Sequence, residues 1–185
     1  AAAILKKQGY EVIGITFKFV ENFDAEDAIK VAKTLDIEHH IIDYRDIFKE
    51  KVIDKFLNDY KSGITPNPCV ICNKNVKLRF LLDEMYKFNA DYIATGHYAK
   101  IKDGRLYKSI DKNKDQTYFL SQITKEELSK ILLPLEGIDK EEVRKEINSD
   151  LPSRLKCLYV CNSLEEIEAW LNIFKRTNKR DCQIL

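Results

Sequence analysis

The chain has no apolar run long enough to cross a bilayer, so a membrane-spanning role lacks a segment to carry it. Charge of one sign is missing too. The 31 Lys and Arg against 30 Asp and Glu leave a formal net charge of +1, so composition alone gives no warrant for a nucleic-acid partner, which must be argued locally. Cysteine is sparse: five in 185 residues, an odd number, do not make a secreted disulfide framework, and reduced thiols are the default. The opening "AAAILKKQGYEVIGI" is broken by Lys6, Lys7 and Gln8 before it reaches the length of a secretory signal. Internal repeats and low-complexity tracts are absent as well. The expected setting is the cytoplasm.

What is present describes an ordinary globular chain, 44% hydrophobic and 33% charged, long enough to bury a core without staples. Ala1 to Gln8 reads as the end of a helix, and Gly9 turns the chain into the strand "YEVIGITFKF". From Asp24, an expected N-cap, Ala25, Ala28, Ile29, Ala32 and Leu35 recur at helical spacing before the strand "IEHHIID". A helix from about Arg45 to Tyr60 leads into "SGITPNP", whose Gly and prolines predict a loop. Leu78, Leu81, Leu82 and Met85 mark one face of a further helix, and "ADYIATGHYAKI" and "GRLYKSI" read as extended pieces. "KDQTYFLSQI" and "TKEELSKIL" read as helical or turn-like, and "DKEEVRKEI" as a short charged helix. A capping-box pattern, Ser163 with Glu166, opens a last helix carrying Ile167, Trp170, Leu171 and Phe174. Strands alternating with helices predict an α/β fold with a parallel sheet.

Three stretches carry chemistry. "ATGHY", Ala94 to Tyr98, puts Gly96 directly after an apolar strand, where open parallel sheets bind ligands and where a nucleotide can approach the backbone closely. The same pattern suits a plain strand-to-strand turn, with His97 a hydrogen-bonded structural histidine. "TPNPCVICNK" sets Cys69 and Cys72 three positions apart. A zinc site would want a second pair nearby, and Cys157 and Cys161 are distant with a different spacing. A redox CxxC normally opens a helix after a strand, whereas the lead-in here is rich in proline. An inert pair suits packed elements better than a loop. A reactive thiol remains: Cys72 stands ahead of Lys74, Lys77 and Arg79, where a helix start and cations favour thiolate. "NKDQTYF", Asn113 to Phe119, reads on composition as a solvated polar turn.

Taken in order, "GITPNPCVICNKNVKLRFLL", "ADYIATGHYAKI" and "DKNKDQTYFLSQI" resemble the tRNA-specific 2-thiouridylase family, and the resemblance runs from the first residue to about Arg144. It implies a Rossmann-like α/β domain of the adenine-nucleotide alpha-hydrolase (PP-loop ATPase) type, with its first strand missing here. It also implies ATP with Mg2+ as cofactor, a persulfide sulfur donor supplied by a sulfur-relay protein, and tRNA as substrate. By matching motifs, Cys72 takes the place of the catalytic cysteine, and Asn67, Pro68 and Cys69 that of the loop meeting the target base. Phe17 and Gly96 match nucleotide contacts, His97 lies near the nucleotide, and Lys114, Asp115 and Gln116 match a tRNA-contacting segment. No metal ligand is implied, apart from an occasional cluster role for Cys69.

The expected organisation is a partial PP-loop ATPase domain over 1–110 and the start of a central tRNA-binding domain over 111–150. Residues 151–185 are a tail that departs from the family. Two family motifs are not found: the "SGGxDS" pyrophosphate loop and the "DSxxICF" cysteine motif after "EVR". The family's C-terminal β-barrel is not found either. The expectation is therefore a partial form that binds ATP weakly and does not thiolate on its own. Two other readings stand beside it: a non-catalytic tRNA-binding fragment, and a small metal-binding module built on Cys69, Cys72, Cys157 and Cys161.

Overall fold

The computed structural model describes residues 1–139 together with 142 and 143. Helix α1 (Ala2–Lys7) buries Ala2 and Leu5, and the chain reverses at Gly9, whose φ of 88° is the left-handed conformation glycine adopts without strain. It then enters strand β1 (Ile13–Lys18). Helix α2 (Glu26–Leu35) follows the apolar spacing, with a small shift at its start. Ala25 holds the N-cap position, and the Asp24 carboxylate accepts the Glu26 N–H at 2.8 Å from one residue further out. Strand β2 (Glu38–Asp43) runs parallel to β1 in a register that sets Ile13 opposite Glu38 and Lys18 opposite Asp43. Gly14 faces His39 in that ladder. A Cβ on Gly14 would come within 3.0 Å of the His39 ring, whose Nε2 lies 2.8 Å from Thr16 Oγ1.

The helix expected from Arg45 is one run to Lys61: α3 (Arg45–Phe48), a π-helical stretch over Lys49–Asp54, and α4 (Lys55–Lys61). A second long run starts at Pro68, with α5 (Pro68–Cys72), another π-helical stretch over Asn73–Lys77, and α6 (Leu78–Lys87). Leu78, Leu81, Leu82 and Met85 are all buried on α6, as their spacing requires.

Strand β3 (Ile93–Ala94) is short. After it, β4 (Lys100–Lys102) and β5 (Arg105–Tyr107) make an antiparallel hairpin through Asp103 and Gly104, both with positive φ, the turn that Asp-Gly pairs favour. A 3-10 turn (Thr117–Leu120) precedes α7 (Lys125–Leu128), where Thr124 and Glu127 form a reciprocal capping box. Ile131 and Leu132, read with their neighbours as helical or turn-like, instead form strand β6, parallel to β3. The open edge of β3 explains this: Ile93 N–H reaches Lys130 O at 2.9 Å and Thr95 N–H reaches Leu132 O at 3.2 Å.

The architecture is α/β, with two parallel strand pairs and one antiparallel hairpin among the described residues. One apolar cluster spans it, from Phe17, Phe19 and Phe48 through Val76, Leu78 and Met85 to Ile93, Leu120, Leu128 and Ile131. Residues on both sides of position 110 thus share a core, each large side chain contributing about 1.5–3 kcal/mol by burial. No helix among the described residues is long and apolar enough to cross a membrane. The expected tail over 151–185, its capping box, Cys157 and Cys161 lie outside the described residues.

Candidate functional site

Asn67 has an extended backbone, and its Oδ1 accepts the Val70 N–H at 3.3 Å, the geometry of an N-cap. Pro68 takes the first helical position, where a missing N–H costs nothing and a fixed φ suits the helix. Cys69 is therefore second in the helix and exposed, while Cys72 is one turn further on, half-buried against the apolar core. This corrects the sequence reading, which put both cysteines on a loop ahead of a helix. The Asn-Pro pair is the helix start rather than a loop marker, so the CxxC does open a helix. Spacing of three residues sets the two thiols on one helical face.

Two of the three cations expected beside Cys72 are engaged elsewhere. Lys74 donates to Glu127 Oε2 at 3.0 Å, and Arg79 pairs with Asp83 at 3.5 Å. Lys77 is only 4% exposed and close enough to His97 to repel a protonated ring.

Four buried polar residues, Asn73, Lys77, Thr95 and His97, come from the helix that carries Cys72 and from the "ATGHY" segment. Thr95 Oγ1 and His97 Nδ1 are 2.8 Å apart. Burial, reinforced by the Lys77 charge, pushes the His97 ring down to about 3, so it is neutral near pH 7. A neutral imidazole orients and polarises but does not act as a strong acid. Asn73 Nδ2 donates to Phe119 O at 3.3 Å, and its buried Oδ1 meets no donor among the described residues. Sequence reasoning missed Asn73, Thr95 and the burial of Lys77. Their only signal was position: Asn73 and Lys77 share a helical face with each other, next to the buried Val76 and Leu78.

The "KDQ" turn divides in two. Asp115 Oδ1 accepts from Ser109 N–H at 2.9 Å and from the Thr117 hydroxyl at 2.6 Å; burial pushes its carboxyl up, but these hydrogen bonds outweigh burial and hold it below its usual range. Gln116 accepts the Tyr98 N–H at 3.0 Å through Oε1 and donates its own N–H to Tyr98 O at 2.9 Å. Both residues shape the turn and dock it on "ATGHY". Lys114 is exposed.

Phe17, next to the last residue of β1, is buried among aromatics, 5.3 Å edge-on from Tyr44 and 5.6 Å from Phe19. Gly96 follows β3, half-buried between fully buried neighbours. Both stand at the C-terminal ends of parallel strands, a position that fits the base or ribose of a nucleotide. For a triphosphate the fit fails, because the chain holds no Gly-rich turn opening a helix. Among the described residues no group of three His, Cys, Asp or Glu is placed to hold a metal ion.

The tRNA methyl transferase HUP domain family matches residues 1–154. The chain is 50% identical over 143 residues to the tRNA-specific 2-thiouridylase MnmA 1 of Fusobacterium nucleatum, covering 77% of this chain and 39% of that protein. It is 44% identical over 158 residues to the tRNA-specific 2-thiouridylase MnmA of Bacillus licheniformis, covering 78% and 42%. It thus spans roughly two-fifths of the length of these curated relatives. A crystal structure described as a predicted subunit of tRNA methyltransferase from Methanocaldococcus jannaschii is similar in fold, with a TM-score of 0.50 at 23% identity over 80% of this chain and 67% of that one. With a match across residues 1–154 and its motif segments hydrogen-bonded into one assembly, the chain belongs to the tRNA methyl transferase HUP domain family.

Proposed function

We propose that this chain is the thiol- and nucleotide-bearing part of a tRNA-uridine 2-sulfurtransferase acting on the wobble uridine in the cytoplasm. The observation that carries this is the joining of three segments. Asn73 ties the cysteine helix to Phe119, and Gln116 ties the same polar turn to Tyr98. The names of the relatives support the same reaction.

A uracil carbonyl oxygen leaves poorly, so sulfur can replace it only after activation. That activation would come from ATP, whose triphosphate these residues do not cradle, so no part of that step is placed on this chain, and a relay protein would supply sulfur as a persulfide. In this reading Cys72 is the working thiol, and a helix start serves it because an unstacked base can be brought to it from solvent. Asn67, Pro68 and Cys69 form the edge that meets the base. His97, held by Thr95, orients groups at the strand end without titrating. Phe17 and Gly96 face the nucleotide, and Lys114 faces tRNA phosphates.

The test is alkylation of Cys72, followed by mass spectrometry, with tRNA carrying either uridine or cytidine at the wobble position. Uridine-bearing tRNA is expected to slow Cys72 modification several-fold more than the cytidine form. Equal protection by both would leave a tRNA-binding fragment that does not read the base. No protection would overturn the proposal.

A further inference from the structure

The prolines ahead of Cys69 and Cys72 speak against a dithiol pair in the sequence, and the structure removes that objection. Pro68 opens a helical run that reaches Lys87, and both cysteines lie in its first five residues. Two thiols at a helix start with two residues between them are the arrangement of dithiol redox sites. Three residues of α-helix set their Cα atoms about 5 Å apart, inside the range of about 4.4–6.8 Å that a disulfide spans. The turn between them is closed, because the Asn73 N–H reaches Cys69 O and Val70 O.

The two thiols differ in access. Cys69 is exposed, whereas Cys72 is half-buried and packs on the apolar core. Among the described residues Cys69 is the only other cysteine, so it is the thiol within reach of a sulfur carried on Cys72. A structural metal would take four ligands, and no third His, Cys, Asp or Glu joins the pair among the described residues. The pair suits sulfur exchange.

We propose that Cys69 is the resolving thiol of a persulfide on Cys72. The inference rests on the proposed sulfur transfer and deepens it by naming how sulfur leaves Cys72. The Cys69 thiolate attacks Cys72 Sγ, and a Cys69–Cys72 S–S bond forms. The bond from Cys72 Sγ to the outer sulfur breaks, and that sulfur departs with the electron pair as hydrosulfide. It keeps the proton it carried in the persulfide, while the Cys69 thiol proton has gone to water. Two cysteine sulfurs are oxidised to a disulfide and the outer sulfur is reduced to sulfide, so no further oxidant is needed. Hydrosulfide is thereby freed at the edge that Asn67, Pro68 and Cys69 offer to the base. A dithiol from solution reopens the pair: its thiolate attacks the exposed Cys69 Sγ, Cys72 leaves as thiolate, and the dithiol ends as its own disulfide.

The experiment needs neither ATP nor tRNA. Wild type, Cys69→Ser, Cys69→Ala and Cys72→Ser, each as the full chain, are loaded with inorganic polysulfide and desalted. Hydrosulfide is followed by bimane trapping and the cysteines by mass spectrometry. Trypsin releases both thiols in one peptide, 62–74, so their disulfide reads as that peptide lighter by two hydrogens. In wild type, hydrosulfide and this disulfide are expected to form at matched rates, above the background that Cys72→Ser gives from the other cysteines. Both Cys69 variants should hold the Cys72 persulfide about tenfold longer or more. Serine keeps the shape of cysteine, so a packing role for Cys69 would leave Cys69→Ser like wild type. Circular dichroism verifies that all variants fold.

A Cys72 persulfide that decays in Cys69→Ser at the wild-type rate overturns the proposal. A disulfide from Cys72 to Cys157, Cys161 or Cys182 does so too, as does a wild type that takes up no persulfide on peptide 62–74. Protection of Cys72 by wobble uridine is read separately. If the pair releases hydrosulfide while uridine never protects Cys72, the resolving step stands and the sulfurtransferase reading falls. If uridine protects Cys72 while Cys69→Ser leaves the persulfide lifetime unchanged, the resolving step falls alone.

Discussion

Gln116 and Tyr98, 18 residues apart, are joined twice: the Tyr98 N–H donates to Gln116 Oε1 at 3.0 Å, and the Gln116 N–H donates to Tyr98 O at 2.9 Å. This double bond pattern docks the "KDQ" turn on "ATGHY". Gln116→Ala removes the side-chain acceptor and strands the Tyr98 N–H in a buried place, at a cost of about 1–3 kcal/mol. Gln116→Glu keeps an acceptor and should recover most of that loss. Urea unfolding of the three proteins checks the order; an alanine variant as stable as wild type would mean that the turn is held by other contacts.

His97 makes a signature in pH. Its ring titrates near the ordinary histidine value of 6.5 in the unfolded chain but at about 3 in the fold, because of burial first and Lys77 second. The unfolded state therefore binds the proton more readily, and stability falls as pH drops from about 6.5 towards 3, by up to about 1.4 kcal/mol per pH unit. His39 is also lowered, by burial and by His40, and loses stability as pH falls below 6.5. His97→Gln should flatten the decline between pH 6.5 and 4.5, leaving the part due to His39. The readout is the slope of unfolding free energy against pH, which a uniform destabilisation does not move. An unchanged slope would show that His97 takes up its proton as readily in the fold as in the unfolded chain.

The elements that could be read from the sequence are those whose signal is local. The apolar spacing of Leu78, Leu81, Leu82 and Met85 and the strands around Ile13 and Ile41 needed no partner to declare themselves. Pro68 misled because proline ends a helix from inside yet opens one at its first position, and only the Asn67 bond to Val70 decides between them. Strand β6 is two residues long and exists because β3 offers an edge, which no window over 131–132 contains. Asn73 and Lys77 are polar residues on a buried face, and hydrophobic periodicity counts such positions as solvent. The inward turn of Gln116 depends on a partner 18 residues away. Motif resemblance could mark the segment as important, but not that Lys114 faces out while Asp115 and Gln116 face in.

The cysteine pair gives a test of the corrected helix start. Cys69 is exposed in the first turn, and Cys72 is half-buried against the core. Without RNA, a bulky maleimide should modify Cys69 faster than Cys72. Asn67→Ala removes the N-cap, costing about 1 kcal/mol, and by fraying the first turn should narrow the gap between the two rates. Rates measured by quenched mass spectrometry decide; a gap that Asn67→Ala leaves unchanged would mean that the helix does not start at Pro68 in solution.

Tyr44 links the aromatic surroundings of Phe17 to a buried carboxylate. Its ring stacks on Phe80 at 4.3 Å and meets Phe17 edge-on at 5.3 Å, while its hydroxyl donates to Glu84 Oε1 at 2.7 Å. Lys87 Nζ donates to the same oxygen at 2.7 Å. For Glu84, burial favours the neutral acid, but the bonds from Lys87 and Tyr44 outweigh it and hold the carboxyl below its usual range. That depressed value contributes stability above the ordinary carboxylate range, lost as pH falls through and below it. Tyr44→Phe keeps both ring contacts and removes one donor, so it should cost about 1–2 kcal/mol at pH 7 and less at pH 4. Tyr44→Ala also removes the ring, should cost about 3–5 kcal/mol, and should loosen Phe17. Nucleotide affinity separates the two effects: if Phe17 faces the base, AMP binding followed by fluorescence survives in Tyr44→Phe and drops in Tyr44→Ala at a temperature where both remain folded. Equal affinity in the two variants would remove Phe17 from the nucleotide site, because its packing depends on the Tyr44 ring and not on the hydroxyl.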